Sequence, residues 1–285
     1  MYQFDKTLHQ NQKRKESFFH LARDIFGIRL DLWEKAGGWT ESYIPYYFHE
    51  DDEIIANASV NLMKLTIEGT IYTGIQIGTV MTRETHRGKG LSEKLLRRIL
   101  EDYEESADFI YLMANEKAIP LYKRVGFEIQ DTVRFFLPAE EYANITDKVH
   151  PISMTLDELM EIKKNSVPVT DRFWGGEDKH ILPFYYVHGF QDNILKTSEG
   201  IIVLAELDED TFHLYDVLSS EKTSLYKVLK EVVPQEARRV EIHFMPSEEL
   251  PGLYQKPFPE NGFMLHKSSK VQFPENLGYP TIITA

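Results

Sequence analysis

The chain switches repeatedly between two kinds of apolar spacing. Residues 5–36 put Phe18, Phe19, Ala22, Ile25 and Phe26 on one helical stripe, and "GGW" at 37–39 closes that region. "YIPYYFH", "EIIANASVNLMKLTIEG" and "TIYTGIQIGTVMT" are rich in aromatic and β-branched residues. They predict three strands, with turns at "EDDE" and "EGT". After "RETHRGKG", Leu91, Leu95, Leu96, Ile99, Leu100 and Tyr103 return to one helical face. "DFIYLMAN" predicts a buried strand and "EKAIPLYKRV" a short helix ended by Gly126. "FEIQDTVRFFL" supplies one or two closing strands.

Pro138 and Pro151 bracket a linker, set at 138–150, in which "PAEEYANI" has helical composition. A new helix starts after Thr155, with Thr155 as N-cap and Glu158 as the capping-box acid. "GIIVLAELDEDTFHLYDVLS" then predicts a hairpin turning at "DEDT". "SLYKVLKEVV" follows as a helix, and "RRVEIHFM" and "GFMLHK" as strands. The order repeats that of the first half. "TGIQIGTVMT", helix 91–103 and "ADFIYLMAN" match "TFHLYDVLS", helix 224–233 and "RRVEIHFMP", and "GFEI" at 126–129 matches "GFML" at 262–265. We read the second half as a diverged copy of the first. Where the first carries "RETHRGKG", the second has only "SEKT".

Composition narrows the function classes. The chain has 285 residues, 42% hydrophobic and 27% charged, as expected of a soluble globular protein of two ordinary domains or one large one. No apolar run is long enough to span a bilayer, and the first residues lack a signal peptide's pattern. There is no cysteine, which excludes disulfides, cysteine zinc sites and a cysteine nucleophile and fits a cytoplasmic location. The formal net charge of −13 argues against a nucleic-acid partner and is compatible with a cationic small substrate. It equally serves solubility.

The candidate chemistry begins at "THRGKGLSEKLLRRIL", residues 85–100. A helix start exposes unpaired N–H groups and the positive end of the dipole. Gly88 and Gly90 let an anion approach the backbone, and Arg87 and Lys89 add charge, so the turn suits a pyrophosphate. A Walker-type loop is excluded because Gly90 follows Lys89, and a dinucleotide fingerprint because Glu93 stands where its third glycine belongs. A glycine-eased strand-to-helix turn is the simpler alternative.

"VMTRETHRGKGLSEKLL" followed by "NEKAIPLYKRVGFE" resembles the GNAT superfamily of N-acetyltransferases. The first segment is similar to the acetyl-CoA motif [RQ]-x-x-G-x-[GA] at Arg87, Gly90 and Ser92, with Ser92 in place of glycine or alanine. The second matches the run N-x-x-A-x-x-L-Y-x-x-x-G-F at Asn115, Ala118, Leu121, Tyr122, Gly126 and Phe127. The loop "THRGKGL" is similar to the enhanced-intracellular-survival branch, and a tandem layout with one degenerate copy is similar to mycothiol synthase.

The resemblance implies an α/β (α+β) fold of two GNAT-like domains, each a mixed, mostly antiparallel twisted sheet flanked by helices. Residues 1–137 would bind acetyl-CoA and catalyse, and 151–285 would form the degenerate copy. It implies main-chain pairing of Val80, Met81 and Thr82 with the pantetheine arm. The amides of Arg87, Gly88, Lys89, Gly90, Leu91 and Ser92 would hold the pyrophosphate, and Asn115 would bond the arm. Tyr122 would protonate the departing thiolate during acetyl transfer to a small-molecule or peptide amine. A non-catalytic acyl-CoA sensor is the alternative.

The general base is open. Gln76 stands in the strand where many relatives place a glutamate. Glu50, Asp51, Asp52 and Glu53 suit a solvated turn, and His49 and His86 suit exposed loops. Relatives in the survival branch use the chain's terminal carboxylate, and the tail "LGYPTIITA" could reach the first domain's cleft, but packing as a terminal strand is the simpler reading; a water chain to solvent would also serve. His180, His188 and His213 lack metal-ligand spacing, so no metal is expected. "DRFWGGED" at 171–178 suits a surface loop anchored by Trp174, and "NIT" at 144–146 is a glycosylation sequon only in a secreted protein. A homodimer is possible, with no membrane partner.

Overall fold

The computed structural model describes residues 2–143, 149–175, 179–259 and 262–285. In the first half the elements are β1 (Gln3–Asp5), α1 (Gln12–Phe26), α2 (Leu30–Lys35), β2 (Tyr43–Glu50), β3 (Glu53–Ile67) and β4 (Thr70–Thr82). They continue with α3 (Leu91–Tyr103), β5 (Phe109–Met113), α4 (Ile119–Arg124), β6 (Phe127–Ile129) and β7 (Val133–Pro138). The second half holds α5 (Leu156–Asn165), β8 (Phe173–Gly175), α6 (Ile181–Val187), β9 (Ile194–Lys196), β10 (Ile202–Asp208) and β11 (Thr211–Leu218). It ends with α7 (Leu225–Val232), β12 (Arg239–Ile242), β13 (Tyr254–Pro257) and β14 (Phe263–His266).

The first sheet runs β1-β2-β3-β4-β5-β14-β6, with β8 added on β3. Alternation along β2 and β3 sorts side chains to its two faces. Tyr46, Phe48 and Ile55 meet Leu91, Leu95, Leu96 and Ile99 of α3. Tyr43, Tyr47 and Ile54 meet Phe18, Phe19 and Ala22 of α1 and Trp33 of α2. The helices form for local reasons. Asn11 caps α1 by accepting the Arg14 N–H, and Gly27 ends it at φ 73°. Thr155 and Glu158 make a full capping box on α5.

The second sheet runs β13-β7-β12-β11-β10-β9 and shares the first sheet's topology. In each, antiparallel strands lead through a helix to one parallel step, β4 to β5 or β11 to β12. The strand beyond that step is exchanged. β14 lies between β5 and β6 in the first sheet, while β7 lies between β12 and β13 in the second. The sheets therefore do not follow a division of the chain at 137 and 151. "GFML" is also not the counterpart of "GFEI": Met264 pairs directly with Ile129, and β13 takes the edge position that β6 takes in the first sheet. Pro138 ends β7, and Ala139 and Tyr142 are fully buried, so the start of the expected linker belongs to the core. A common cluster joins the halves: Leu65, Phe109 and Phe263 of the first sheet pack with Leu137, Leu214 and Val240 of the second.

The segment around Trp174 also differs from the expected loop. Phe173–Gly175 forms β8 against Leu65–Ile67, with Phe173 fully buried. Residues 176–178 and the sequon at 144–146 lie outside the described residues.

Candidate functional site

The site begins where two strands part. β4 stays paired with β3 as far as Thr82, opposite Ala56, but its parallel pairing with β5 ends at Ile77 opposite Leu112. Residues 78–82 thus have no strand on their second edge among the described residues. The register also shifts here. Ser59 pairs with Gly78 and Asn57 with Met81, so β4 carries one residue more than β3 across this step. This is a β-bulge, which re-aims the backbone. At its centre Thr79 has φ 46°, unusual for a β-branched residue.

Beside this free edge lies the mouth of α3. Gly88 and Gly90 have φ of 76° and 72°, which explains glycine at both positions. A Cβ at either would meet nothing within 4 Å, so the space above them is open. Gly90 is the N-cap and no side chain caps α3, which leaves first-turn N–H groups for an outside acceptor. Ser92, the departure from the motif, ties its hydroxyl to that of Thr82 at 2.8 Å. Arg87 Nε donates to the Thr82 carbonyl at 3.3 Å.

A groove of ≈ 570 Å³ joins these features. Of the residues expected there, Val80, Met81, Thr82, Arg87, Gly88, Gly90, Leu91, Ser92 and Asn115 line it, whereas Lys89 and Tyr122 are not among its walls. Ile25, His86, Glu93, Lys117, Ala118, Leu121 and Arg124 line it too, and none of them was expected to bind the ligand. The spacing of 117, 118, 121 and 124 on one short helical stretch was the available signal. Asn115 also has a structural task, since its Oδ1 accepts the Ala118 N–H. Glu93 pairs with Arg97 at 2.9 Å and Arg124 at 3.4 Å, and these arginines hold its carboxyl below the usual range. Tyr122 is buried edge-on against Phe127, and burial pushes its hydroxyl up to about 12. A free strand edge next to an uncapped, glycine-opened helix mouth fits an extended ligand with a polar arm and an anionic group.

Residues 10–130 match the family model described as "Acetyltransferase (GNAT) domain". This segment is a GNAT domain. The GNAT fold also covers most of the chain in solved structures. These include a conserved protein from Enterococcus faecalis V583, at 12% identity over 95% of this chain and 73% of that one, TM-score 0.63. Eis1 from Mycobacterium abscessus matches at 13% identity over 94% and 74%, TM-score 0.61. A GCN5-related N-acetyltransferase from Kribbella flavida matches at 13% over 93% and 70%, TM-score 0.58. No curated protein matches the sequence. No helix among the described residues is long and apolar enough to cross a membrane.

Among the described residues, the mouth of α7 is not open as the mouth of α3 is. The mouth of α7 is closed by its own chain. Ser224 accepts the Lys227 N–H, and the Glu248 carboxylate accepts the Leu225 N–H at 2.7 Å and the Ser224 hydroxyl at 2.8 Å. Where β11 and β12 part, the tail enters: the Thr281 N–H donates to the His243 carbonyl. The tail then crosses to the GNAT sheet. The Ala285 N–H donates to Gln76 Oε1 at 2.9 Å, and the Ala285 carbonyl oxygen would sit 3.2 Å from a Cβ on Gly78. Ala285 also borders a small apolar cavity, ≈ 60 Å³, with Trp33, Tyr43, Thr79 and His180.

The histidines fall elsewhere than expected. His49 is buried, with Nδ1 2.9 Å from the Asp51 carbonyl, and is no loop residue. His86 does line the groove, 4.0 Å from Glu50. His180 is buried with neither ring nitrogen bonded among the described residues, and burial lowers it to about 4. His213, Glu241 and His243 bring donor atoms within 4.8 Å of one another, because the β11–β12 register sets His213 beside Glu241. Sequence spacing could not show this grouping. The Arg134 guanidinium stands 3.4 Å from Glu241 and already balances its charge.

Proposed function

We propose that the chain is an N-acetyltransferase that moves acetyl from acetyl-CoA to a primary amine of a small molecule or peptide by direct attack. The observation that carries this reading is the free edge of β4 at 78–82 beside the uncapped glycine mouth of α3. The main chain of Val80, Met81 and Thr82 would hold the pantetheine arm and the amides from Arg87 to Ser92 the pyrophosphate, with Asn115 beside the arm. Bound there, acetyl-CoA supplies an activated thioester acyl group.

The remaining work falls to this chain's residues. The groove aligns the amine with the acyl carbon, which removes much of the entropic barrier. Main-chain N–H groups at the bulge stabilise charge that develops on the acyl oxygen. A new N–C bond forms as the C–S bond breaks. Tyr122 is not a wall of the groove, but its hydroxyl keeps its proton at neutral pH and would supply it to the departing sulfur. Glu93 is the only carboxylate among the described lining residues, and it is held by two arginines. The amine's proton passes to water in the open groove or to His86, which also lines it.

The test is release of free CoA thiol from acetyl-CoA across a panel of primary amines. Amine-dependent release supports the enzyme. Saturable acetyl-CoA binding without release by any amine supports the sensor reading instead.

A further inference from the structure

The groove depends on Thr79 keeping a backbone conformation that threonine avoids, and the structure shows what holds it there. Asn57 Nδ2 donates to the Thr79 carbonyl at 2.9 Å and to Ser59 Oγ at 2.9 Å. The carbonyl can only accept, which fixes the orientation of the Asn57 amide. Ser59 Oγ donates to the Tyr43 hydroxyl at 2.8 Å, and that hydroxyl lies 2.9 Å from Thr79 Oγ1. The chain of bonds thus starts at Asn57 and grips Thr79 twice, by its carbonyl and by its side chain. Asn57 and Ser59 are fully buried. Asn57 Oδ1 has no partner among the described residues, a cost in stability that a geometric role for its Nδ2 would offset.

The consequence follows from the peptide bond. A trans peptide is planar, so the carbonyl of one residue and the N–H of the next point in opposite directions. With the Thr79 carbonyl held by Asn57, the Val80 N–H is turned away from Asn57. Val80 lines the groove on the strand edge that β5 leaves free. We propose that Asn57, supported by Ser59 and Tyr43, is a positioning residue that locks the Thr79 bulge and thereby aims the Val80 N–H at the acyl oxygen of the donor. This rests on the acetyltransferase reading for its catalytic consequence. The clamp itself does not.

The test is a set of three variants: Asn57→Ala, Thr79→Gly and the pair together. Glycine adopts positive φ without help. Asn57→Ala should lower kcat by roughly 10- to 100-fold, up to the loss of one oxyanion donor, with the acetyl-CoA Kd within about twofold, below the worth of one hydrogen bond. Thr79→Gly sets its own reference rate, and adding it to Asn57→Ala should bring kcat back to near that reference. A merely destabilising substitution would not be rescued this way. The three-bond HN–Hα coupling of Thr79, read by NMR on the protein without ligand, should show that Asn57→Ala moves Thr79 out of positive φ.

Parent-like kcat in Asn57→Ala, or no recovery in the double variant, overturns the proposal. Should the parent turn over no amine, the functional reading fails, and Thr79 keeping positive φ in Asn57→Ala would overturn the clamp by itself. If Asn57→Ala does not fold, Ser59→Ala removes the bonds to Tyr43 and from Asn57 and leaves the Asn57–Thr79 bond in place. It should lower kcat by about 2- to 10-fold, the worth of one hydrogen bond, and parent-like kcat in it overturns the clamp.

Discussion

The Glu248 carboxylate accepts the Leu225 N–H at 2.7 Å and so fills, at the mouth of α7, the place that stays open at the mouth of α3. A built-in anion at one helix mouth and an uncapped glycine turn at the other distinguish the two ends among the described residues. Glu248→Ala removes a helix-terminal acceptor and should cost about 1–2 kcal/mol of stability. Acetyl-CoA affinity should not change. Urea unfolding and calorimetric binding on the same variant check both halves of that expectation.

Gly90→Asp should abolish acetyl-CoA binding with the fold retained. The space around Gly90 is open, so no side chain is displaced, and aspartate tolerates the left-handed region better than most residues. Its charge opposes the pyrophosphate, which should weaken binding by roughly 10²-fold or more at a partly screened contact distance. Unchanged affinity by calorimetry would remove the pyrophosphate from this turn.

Tyr122→Phe keeps the ring against Phe127 and loses the hydroxyl. The expected result is a fall in kcat of about 10²–10⁴-fold with little change in acetyl-CoA binding. Burial holds the hydroxyl protonated to about pH 12, so the parent-to-variant ratio should stay constant from neutral pH to about 10. Initial rates at saturating acetyl-CoA test this, once a pre-steady-state burst has been excluded. A variant within about threefold of the parent would take the acid role away from Tyr122.

His180 gives the fold a defined acid sensitivity. Folded, its imidazole stays neutral to about pH 4 because burial penalises the cation, whereas the unfolded chain takes up the proton near the ordinary value of 6.5. Between these values the unfolded state binds more protons, so stability is lost as pH falls from about 6.5 towards 4. The loss should approach the order of 3 kcal/mol. His180→Leu should flatten the pH dependence of the urea midpoint across that window. An equally steep dependence in the variant would assign it to other groups.

The exchange of β7 and β14 makes the two halves one folding unit. Fragments 1–137 and 151–285 each lack the strand that joins the edge strand to the rest of their sheet. Each should fail to fold alone, and mixing them should recover native secondary structure by circular dichroism. The intact chain should unfold in one calorimetric transition. Two resolved transitions, or a folded isolated fragment, would contradict a shared core.

How much of this was legible in the sequence depends on the distance over which each feature is encoded. The glycine turn, the face of α3, the capping box at Thr155 and Glu158, and the Asn115 turn are each set within a few residues by main-chain sterics and local hydrogen bonds. The sequence determined them, and with them most of the groove, because its residues lie in three short segments. Which sheet a strand joins is a different kind of fact. "VRFFL" and "FMLH" carry similar apolar patterns, and only the packing of two halves on one core decides that they change places. The same holds for side chains brought together across register. His213 meets Glu241, Glu248 reaches α7, and Asn57 grips Thr79 because strands at fixed spacing set them side by side. Local propensity fixes the turn that can receive a ligand. Tertiary packing alone decides which N–H groups are left free to meet one.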